Sequence, residues 1–321
     1  MSFSAVTKEE LARLPEGKEC CQMAELAALV RMDGTLQISA NQQYALNVVT
    51  ESAPVARKIF RLAKTALDRQ VDIVVRRKLR LRKNNSYMVK IYPRGVEDLR
   101  RLGLMDEDSQ IVAGIPRELI KRKCDRKAYL RGAFLAGGSI NNPEGTYHLE
   151  IISNDLQHAE AVCELLNKFK LGAKLSVRKN WHVVYLKESE HIVEFLGLIG
   201  AHHALLEFEN VRVFKDVRNQ VNRIVNCETA NLNKTVDAAV RQVDNIRLVA
   251  GTIGLGALPA GLRELAELRL QAPDASLKEL GEMLNPKVGK SGVNHRMRKI
   301  DELAERIRNR NSGHVKEDSR Q

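Results

Sequence analysis

Two nine-residue stretches decide the fold of this protein. The first, residues 26–34, reads LAALVRMDG, and the second, residues 130–138, reads LRGAFLAGG. Each has a helical pattern, is rich in small residues and ends in glycine, which is typical of the end of a helix. Small residues such as Ala28 and Gly132 allow two helix backbones to approach closely. The sequence therefore predicts two similar helices that are able to pack against each other at short distance.

The elements around these two stretches recur in the same order, offset by about 104 residues, as Gly34 and Gly138 illustrate. Hydrophobic periodicity and turn residues predict an α-β-β-α-β-β-α unit in each copy. The first copy has predicted elements at 23–32, 35–40, 44–50, 54–67, 71–82, 87–92 and 96–102. The second has them at 128–136, 146–153, 156–169, 174–187 and 190–198. This repetition predicts an α+β fold, in which a duplicated domain has antiparallel sheets and precedes an all-α domain.

The C-terminal region has the pattern of three short helices. Pro259 opens the first helix, and Ser276 with Glu279 forms a capping box, Ser-x-x-Glu, for the second. We predict that Ser291 caps the third, whose inner stripe lies at spacings of four and three residues: Val293, Met297, Ile300, Ala304 and Ile307. This arrangement predicts a helix-turn-helix, in which the third helix enters the major groove of DNA.

The polar side of that third helix has the residue types that contact DNA. Ser291, His295 and Arg298 lie opposite the apolar stripe, where hydrogen-bonding and cationic side chains meet base edges. Lysines in the preceding loop are placed to contact phosphate. The full predicted DNA-binding set is Ser276, Lys287, Lys290, Ser291, Asn294, His295, Arg296, Arg298 and Lys299. A helical bundle with a solvated polar face is the alternative.

The charge of the chain favours a polyanionic partner. The 321 residues have 52 Lys and Arg against 40 Asp and Glu, a net charge of +12. In the predicted strand 71–82, Ile73, Val75, Leu79 and Leu81 alternate with Arg76, Lys78, Arg80 and Arg82. The basic face of this strand is either a surface that tracks phosphates or an ordinary solvated face. In the second copy, Trp181 and Tyr185 are predicted to lie in the core.

In this duplicated setting, the two nine-residue stretches resemble the motifs of the LAGLIDADG homing endonuclease family. The resemblance implies an acid at the eighth motif position of each copy, where the two carboxylates hold a divalent metal ion at the scissile phosphates. Asp33 occupies this position in the first copy, but Gly137 replaces the acid in the second. Because metal-assisted hydrolysis usually needs more than one anionic ligand, we expect no catalysis. A residual nickase using Asp33 and an RNA-binding, splicing-type factor are the alternatives.

The combination of the two parts is similar to the WhiA family of bacterial regulators. The stretches that carry this similarity are NCETAN at 226–231, LP at 258–259, SLKELG at 276–281 and KSGVNHRMRKI at 290–300. The resemblance implies a transcriptional regulator linked to cell division and, in some lineages, to sporulation. It also implies that the C-terminal domain recognises promoters and that the endonuclease-like domain is inactive.

The predicted domains and partners follow from these patterns. We expect a degenerate LAGLIDADG-like domain at 1–205, with repeats at about 20–105 and 125–200, a helical connector with a Gly-rich hinge at 206–256, a helix-turn-helix at 257–310 and a disordered tail at 311–321. The expected partner is duplex promoter DNA, and another transcription factor or RNA polymerase is a further candidate. We expect no membrane association, small-molecule substrate or cofactor. We also expect no metal, since the five cysteines have no zinc-like spacing. With no signal sequence apparent, the expected location is the cytoplasm, on the nucleoid.

Overall fold

The computed structural model describes residues 2–39, 43–76 and 85–317, with side chains described as far as residue 310. It divides into two compact units, Met1–Asp216 (unit 1) and Val217–Gln321 (unit 2). The division falls within a long helix, so each unit contains one part of it.

Unit 1 contains the two predicted copies of the repeat. The helix α1 (Phe3–Arg13) comes before them. The first copy comprises α2 (Glu19–Asp33), β1 (Gly34–Ile38), β2 (Tyr44–Thr50), α3 (Ala53–Leu62), β3 (Val71–Arg76), β4 (Ser86–Ile91) and α4 (Val96–Arg101). The second comprises α5 (Lys123–Gly137), β5 (Gly138–Ile140), β6 (Leu149–Ser153), α6 (Leu156–Asn167), β7 (Lys174–Arg178), β8 (Trp181–Leu186) and α7 (Ser189–Ile199).

Each copy folds into one four-stranded antiparallel sheet with the same topology. The strand orders are β1-β2-β4-β3 and β5-β6-β8-β7, and this confirms the predicted duplication and fold class. Two elements were missing from the sequence-based prediction. The strand β5 is only three residues long, and α1 precedes the repeat, where it contributes Leu11 and Ala12 to the core.

The helices α2 and α5 pack against each other along their small residues. A Cβ atom at Gly132 would collide with the backbone carbonyl oxygen of Glu25 and lie 2.9 Å from the Cβ of Ala28. Glycine at this position therefore permits the close approach that the sequence predicted. Ala24, Ala27 and Ala28 are all buried. Ala28 lies directly against Gly132, where a larger side chain would separate the two backbones.

A buried charge cluster adds polar contacts to this helix pair. The Glu25 carboxylate lies 2.8 Å from the Arg131 guanidinium and 3.8 Å from the ammonium of Lys58, which is 0% exposed. Lys58 also donates a hydrogen bond of 2.8 Å to the carbonyl oxygen of Leu14. Burial lowers the pKa of Lys58, and Glu25 opposes that shift. Because α2, α3 and α5 each supply one of the charges, the cluster joins the two copies.

The apolar face predicted for strand 71–82 is only partly covered in the part that the structure describes. Val71 is buried, but Ile73 and Val75 on the same strand face are 37% and 50% exposed. β3 is an edge strand. Trp181 was predicted to lie in the core, but it is 53% exposed because it lies on the outer face of the second sheet.

Unit 2 is a helical domain. It consists of the C-terminal part of α8 (His202–Thr252) with α9 (Ala260–Gln271), α10 (Leu277–Met283) and α11 (Lys290–Glu317). Its core comprises Ile246, Val249, Leu258, Leu262, Leu265, Ala266, Leu280, Leu284, Val293, Met297, Ile300 and Ala304.

Three sequence-based expectations for the C-terminal region need correction. Ile246 and Val249 are fully buried, so this part of the expected connector belongs to the unit 2 core. α11 begins at Lys290, which places Ser291 within the first turn rather than at the cap. The tail expected to be disordered from residue 311 is helical as far as Glu317, and residues 318–321 lie outside the described residues.

Candidate nucleic-acid interface

The exposed face of α11 is the candidate nucleic-acid interface. Val293, Met297 and Ile300 are buried, and their helical spacing fixes the opposite side of α11 toward solvent. His295 and Arg298, at the centre of that side, are both exposed. This is the arrangement that the apolar stripe predicted for a recognition helix.

The surrounding polar residues extend this surface. Ser291 and Lys299 are exposed on α11, and Asn294 is half-buried beside His295. Lys287 and Lys290 are exposed in the preceding turn and at the first position of α11, respectively. Hydrogen-bonding groups therefore lie along the first turns of the helix, with two ammonium groups at its N-terminal end.

The turn before α11 is held by close backbone packing against α10. A Cβ atom at Gly281 would collide with the carbonyl oxygen of Val288 and lie 3.1 Å from a methyl group of Val293. The backbone N–H of Val288 donates a hydrogen bond of 2.9 Å to the carbonyl oxygen of Gly281. The Glu264 carboxylate accepts another, also of 2.9 Å, from the backbone N–H of Asn285. These contacts fix the turn that precedes the exposed face.

A buried arginine holds the segment between α9 and α10. The Arg269 guanidinium donates to the carbonyl oxygens of Pro273 and Ala275, and at 2.9 Å to the side chain of Gln242 on α8. Burial lowers the pKa of this group. Sequence patterning did not single out Arg269, since nothing in its spacing distinguishes it from an exposed helical arginine.

Two members of the predicted DNA-binding set are engaged within the protein. Arg296 is half-buried beside α9, with a guanidinium nitrogen 3.5 Å from the carbonyl oxygen of Gly261. The hydroxyl of Ser276 accepts a hydrogen bond from the backbone N–H of Glu279, as the predicted capping box requires. These contacts assign structural roles to the Arg296 and Ser276 side chains, whereas the exposed members of the set are free of such contacts in the described residues.

In unit 1, the ends of α2 and α5 bring the two degenerate motif positions to equivalent places. Asp33 is the last residue of α2, and Gly137 is the last residue of α5. Lys8, from α1, donates a hydrogen bond of 3.2 Å to the carbonyl oxygen of Ala136. Burial lowers the pKa of Lys8 to about 8 and raises that of Asp33, and each charge opposes the shift of the other. The single remaining carboxylate therefore has a lysine as its charged neighbour.

The position of Gly137 has no space for a side chain. A Cβ atom there would collide with the methyl group of Met32 and lie 2.5 Å from the carbonyl oxygen of Ile152. An acid at position 137 would therefore require the backbone to move. The geometry leaves Asp33 without a second carboxylate at the motif positions.

The outer faces of the two sheets have mixed charge in the part of the chain that the structure describes. Cross-strand neighbours on the first sheet form the row Thr35, Asn47, Lys90 and Asp72. The corresponding row on the second sheet is Ser139, Glu150, Tyr185 and Lys174. Glu150 lies 3.2 Å from His148 and 3.4 Å from Arg178. Of the predicted phosphate-tracking residues, Arg76 is exposed, and Lys78, Arg80 and Arg82 lie outside the described residues.

One group of side chains has the composition of a metal site. Cys20, Cys21, Cys124 and Asp125 offer ligand atoms that all lie within 4.8 Å of one another. The spacing rules used on the sequence excluded such a site because its ligands come from two distant segments. Within the described residues, no helix is both long enough and apolar enough to cross a bilayer.

The two units define a class of protein, in which a duplicated LAGLIDADG-like domain accompanies a helix-turn-helix domain. Models of the WhiA N-terminal LAGLIDADG-like domain, the WhiA LAGLIDADG-like domain and the WhiA C-terminal HTH domain match residues 19–105, 126–218 and 221–304, respectively. The chain belongs to the WhiA family.

The similarity to known proteins covers nearly the whole chain. The probable cell division protein WhiA of Desulfitobacterium hafniense (strain DSM 10664 / DCB-2) is 80% identical over 307 residues, which are 96% of each chain. The protein of the same name from Heliobacterium modesticaldum is 61% identical over 320 residues, 99% of this chain and all of that one. The crystal structure of full-length DUF199/WhiA from Thermotoga maritima superposes with a TM-score of 0.60 at 28% identity, covering 95% of this chain and 99% of that one.

Proposed function

We propose that the protein is a sequence-specific duplex DNA-binding transcriptional regulator that acts at promoters. The observation that carries the proposal is the exposed polar face of α11, on which His295 and Arg298 project from a helix whose other side is buried. The helix-turn-helix assignment and the name of the relatives, cell division protein, support a regulatory role in cell division. A further role in sporulation, in some lineages, belongs to the same proposal and comes from the family resemblance alone. This activity belongs in the cytoplasm, on the nucleoid.

Within this proposal, the residues of unit 2 have two kinds of task. Ser291, Asn294, His295 and Arg298 read base edges, because short polar side chains, histidine and arginine match the donor and acceptor pattern of the major groove. Lys287, Lys290 and Lys299 contact phosphates and fix the register of the helix. The backbone contacts around Gly281 support this reading face, since a recognition helix must be held at a defined angle to the groove.

Unit 1, in the same proposal, binds a partner and does not cleave DNA. Asp33 has Lys8 rather than a second acid as its charged neighbour, and Gly137 has no room for a side chain. The mixed charge of the described sheet faces favours a protein partner, such as RNA polymerase or another transcription factor, over extended phosphate contact.

The experiment begins with selection of binding sites from a random duplex library by the full-length protein. Affinities for the selected duplex and for a scrambled one are then measured by fluorescence anisotropy at several salt concentrations. Arg298→Ala should weaken binding by about 1–3 kcal/mol and relax base preference at one position. Lys290→Ala should weaken both duplexes alike and lower the salt slope by about one.

Arg263→Ala is the matched control, because Arg263 is another exposed arginine, on α9 of the same unit. It should leave affinity and base preference close to those of the unmodified protein. Equal, sequence-independent losses from Arg298→Ala and Lys290→Ala would contradict the proposal. Stronger competition by a structured RNA than by duplex DNA would instead support an RNA-binding function.

A further inference from the structure

The cluster of Cys20, Cys21, Cys124 and Asp125 lies at the ends of α2 and α5 opposite to the degenerate motif positions. α2 begins at Glu19 and α5 at Lys123, so the cluster occupies the first turn of both helices. The repeat offset of 104 residues makes Cys20 equivalent to Cys124, and Cys21 equivalent to Asp125. Two copies of one helix start therefore supply two ligand atoms each.

The separations of these atoms are close to those around one tetrahedral ion. The Sγ atoms of Cys20 and Cys21 are 4.0 Å apart, and Asp125 Oδ1 lies 3.9 Å from Cys21 Sγ and 3.4 Å from Cys124 Sγ. Zinc–sulfur bonds of about 2.3 Å give tetrahedral S···S edges of about 3.8 Å, and S···O edges are about 3.5 Å. All four ligand atoms lie within 4.8 Å of one another. The longest of these separations is therefore at most about 1 Å longer than a tetrahedral S···S edge, and rotation of a side chain is able to close that difference.

The surroundings of the cluster suit a cation held by thiolates. The other carboxylate oxygen of Asp125 accepts a hydrogen bond of 3.1 Å from the backbone N–H of Arg122, which orients Oδ1 toward the cysteines. The Arg122 guanidinium lies 3.9 Å from Cys20 Sγ and offsets the excess negative charge of four anionic ligands.

The site has a route to solvent but is otherwise enclosed. Cys21 and Asp125 are 9% and 3% exposed, whereas Cys20 and Cys124 are half-buried. Cys20 and Arg122 border a cavity of about 920 Å³, through which an ion is able to enter. The structure contains no disulfide among the described cysteines, so the thiol groups are available as ligands.

We propose that Cys20, Cys21, Cys124 and Asp125 bind one Zn²⁺ ion, which fastens the starts of α2 and α5 to each other. Four ligands, three of them soft thiolates, match the four-coordinate preference of Zn²⁺, whereas magnesium and calcium prefer sites made of oxygen ligands. On binding, each thiol gives up its proton to solvent and its sulfur bonds the ion. The site is distinct from the DNA-reading face of unit 2, so the proposal stands or falls independently of the proposed function.

The test measures metal content and affinity on the full-length protein, purified under reducing conditions with zinc present. Elemental and native mass spectrometry should find about one zinc ion per chain. Cys21→Ser and Cys124→Ser should each weaken zinc affinity by about 100-fold or more, since loss even of a second-shell partner costs 10- to 100-fold. Cys163→Ser and Cys227→Ser, at the cysteines outside the cluster, should retain the affinity of the unmodified protein.

A second measurement on the unmodified protein covers the case in which a variant fails to fold. With zinc bound, alkylation of Cys20 and Cys124 should be slow, and a chelator should accelerate it, while the exposed Cys227 reacts at the same rate in both states. Cobalt in place of zinc should give the strong visible absorption of a tetrahedral thiolate complex. Absence of zinc from the loaded protein, equal affinity in the cluster and control variants, or alkylation unaffected by chelator would each overturn the proposal.

Discussion

The close approach of α2 and α5 predicts the outcome of adding one methyl group at Gly132. In Gly132→Ala the new Cβ collides with a backbone oxygen of Glu25 and lies 2.9 Å from the Cβ of Ala28. Neither atom is the end of a flexible side chain, so relief requires the two helices to move apart. Overpacking of this kind costs about 1–3 kcal/mol.

Helix propensity acts in the opposite direction, because alanine is favoured over glycine by about 1 kcal/mol inside a helix. With a backbone atom in the collision, the steric cost belongs in the upper part of its range. We therefore expect a net loss of about 1–2 kcal/mol in the free energy of unfolding of unit 1. At about 2–4 °C per kcal/mol for a unit of this size, the melting temperature should fall by roughly 2–8 °C.

The assay uses the single tryptophan of the chain. Trp181 lies in β8 of unit 1, so its fluorescence during urea unfolding reports that unit and leaves out unit 2. Gly197→Ala is the control, because its nearest neighbour is a methyl group of Leu205 at 3.3 Å, at the end of a side chain that is able to turn away. The control should be neutral or gain up to about 1 kcal/mol. A Gly132→Ala protein as stable as the control would refute the packing argument.

Three further predictions concern charges in unit 1. Burial lowers the pKa of His158 to about 4, so the free energy of unfolding should fall by at most about 3 kcal/mol as the pH drops from about 6.5 to 4, because the unfolded chain binds a proton there that the native state does not. The urea midpoint should show this loss in the unmodified protein and in the control His203→Gln, and a smaller loss in His158→Gln. Glu25→Gln removes the carboxylate that lies nearest to both Lys58 and Arg131 and should cost about 3–5 kcal/mol in the same assay, and adding Lys58→Met should restore part of this loss. Supercoiled plasmid incubated with Mg²⁺ or Mn²⁺ should remain intact with both the unmodified protein and Asp33→Asn, and nicking by the former alone would contradict the non-catalytic assignment.

Elements with strong local periodicity were predictable from the sequence. The strand at 44–50 and the capping box at Ser276 occur as predicted, since alternation and capping are both short-range signals. The apolar stripe of α11 likewise predicted its buried residues Val293, Met297 and Ile300 and the exposed His295 and Arg298. For such elements the residues that decide the structure are neighbours in the chain.

Alternation alone did not indicate which face of a sheet the helices cover. Ile73 and Val75 share a strand face as predicted, but β3 is an edge strand and both are exposed. Trp181 is exposed because it lies on the outer face of its sheet, and the alternation of β8 did not indicate which of its two faces is the outer one. The period of a strand pattern identifies residues that share a face, whereas coverage depends on tertiary packing.

The contacts that escape spacing rules follow from the duplication itself. Residues 104 apart occupy equivalent positions of α2 and α5, and those that face the partner helix come together in the folded unit. Ala28 meets Gly132 in the middle of the pair, and Cys20 approaches Cys124 near one end. Motif rules for zinc look for ligands within short stretches, so a set divided between two repeats escapes them. In a duplicated protein, equivalent positions of the two paired helices therefore have to be treated as spatial neighbours. A search for metal ligands then has to combine the candidate residues of both copies.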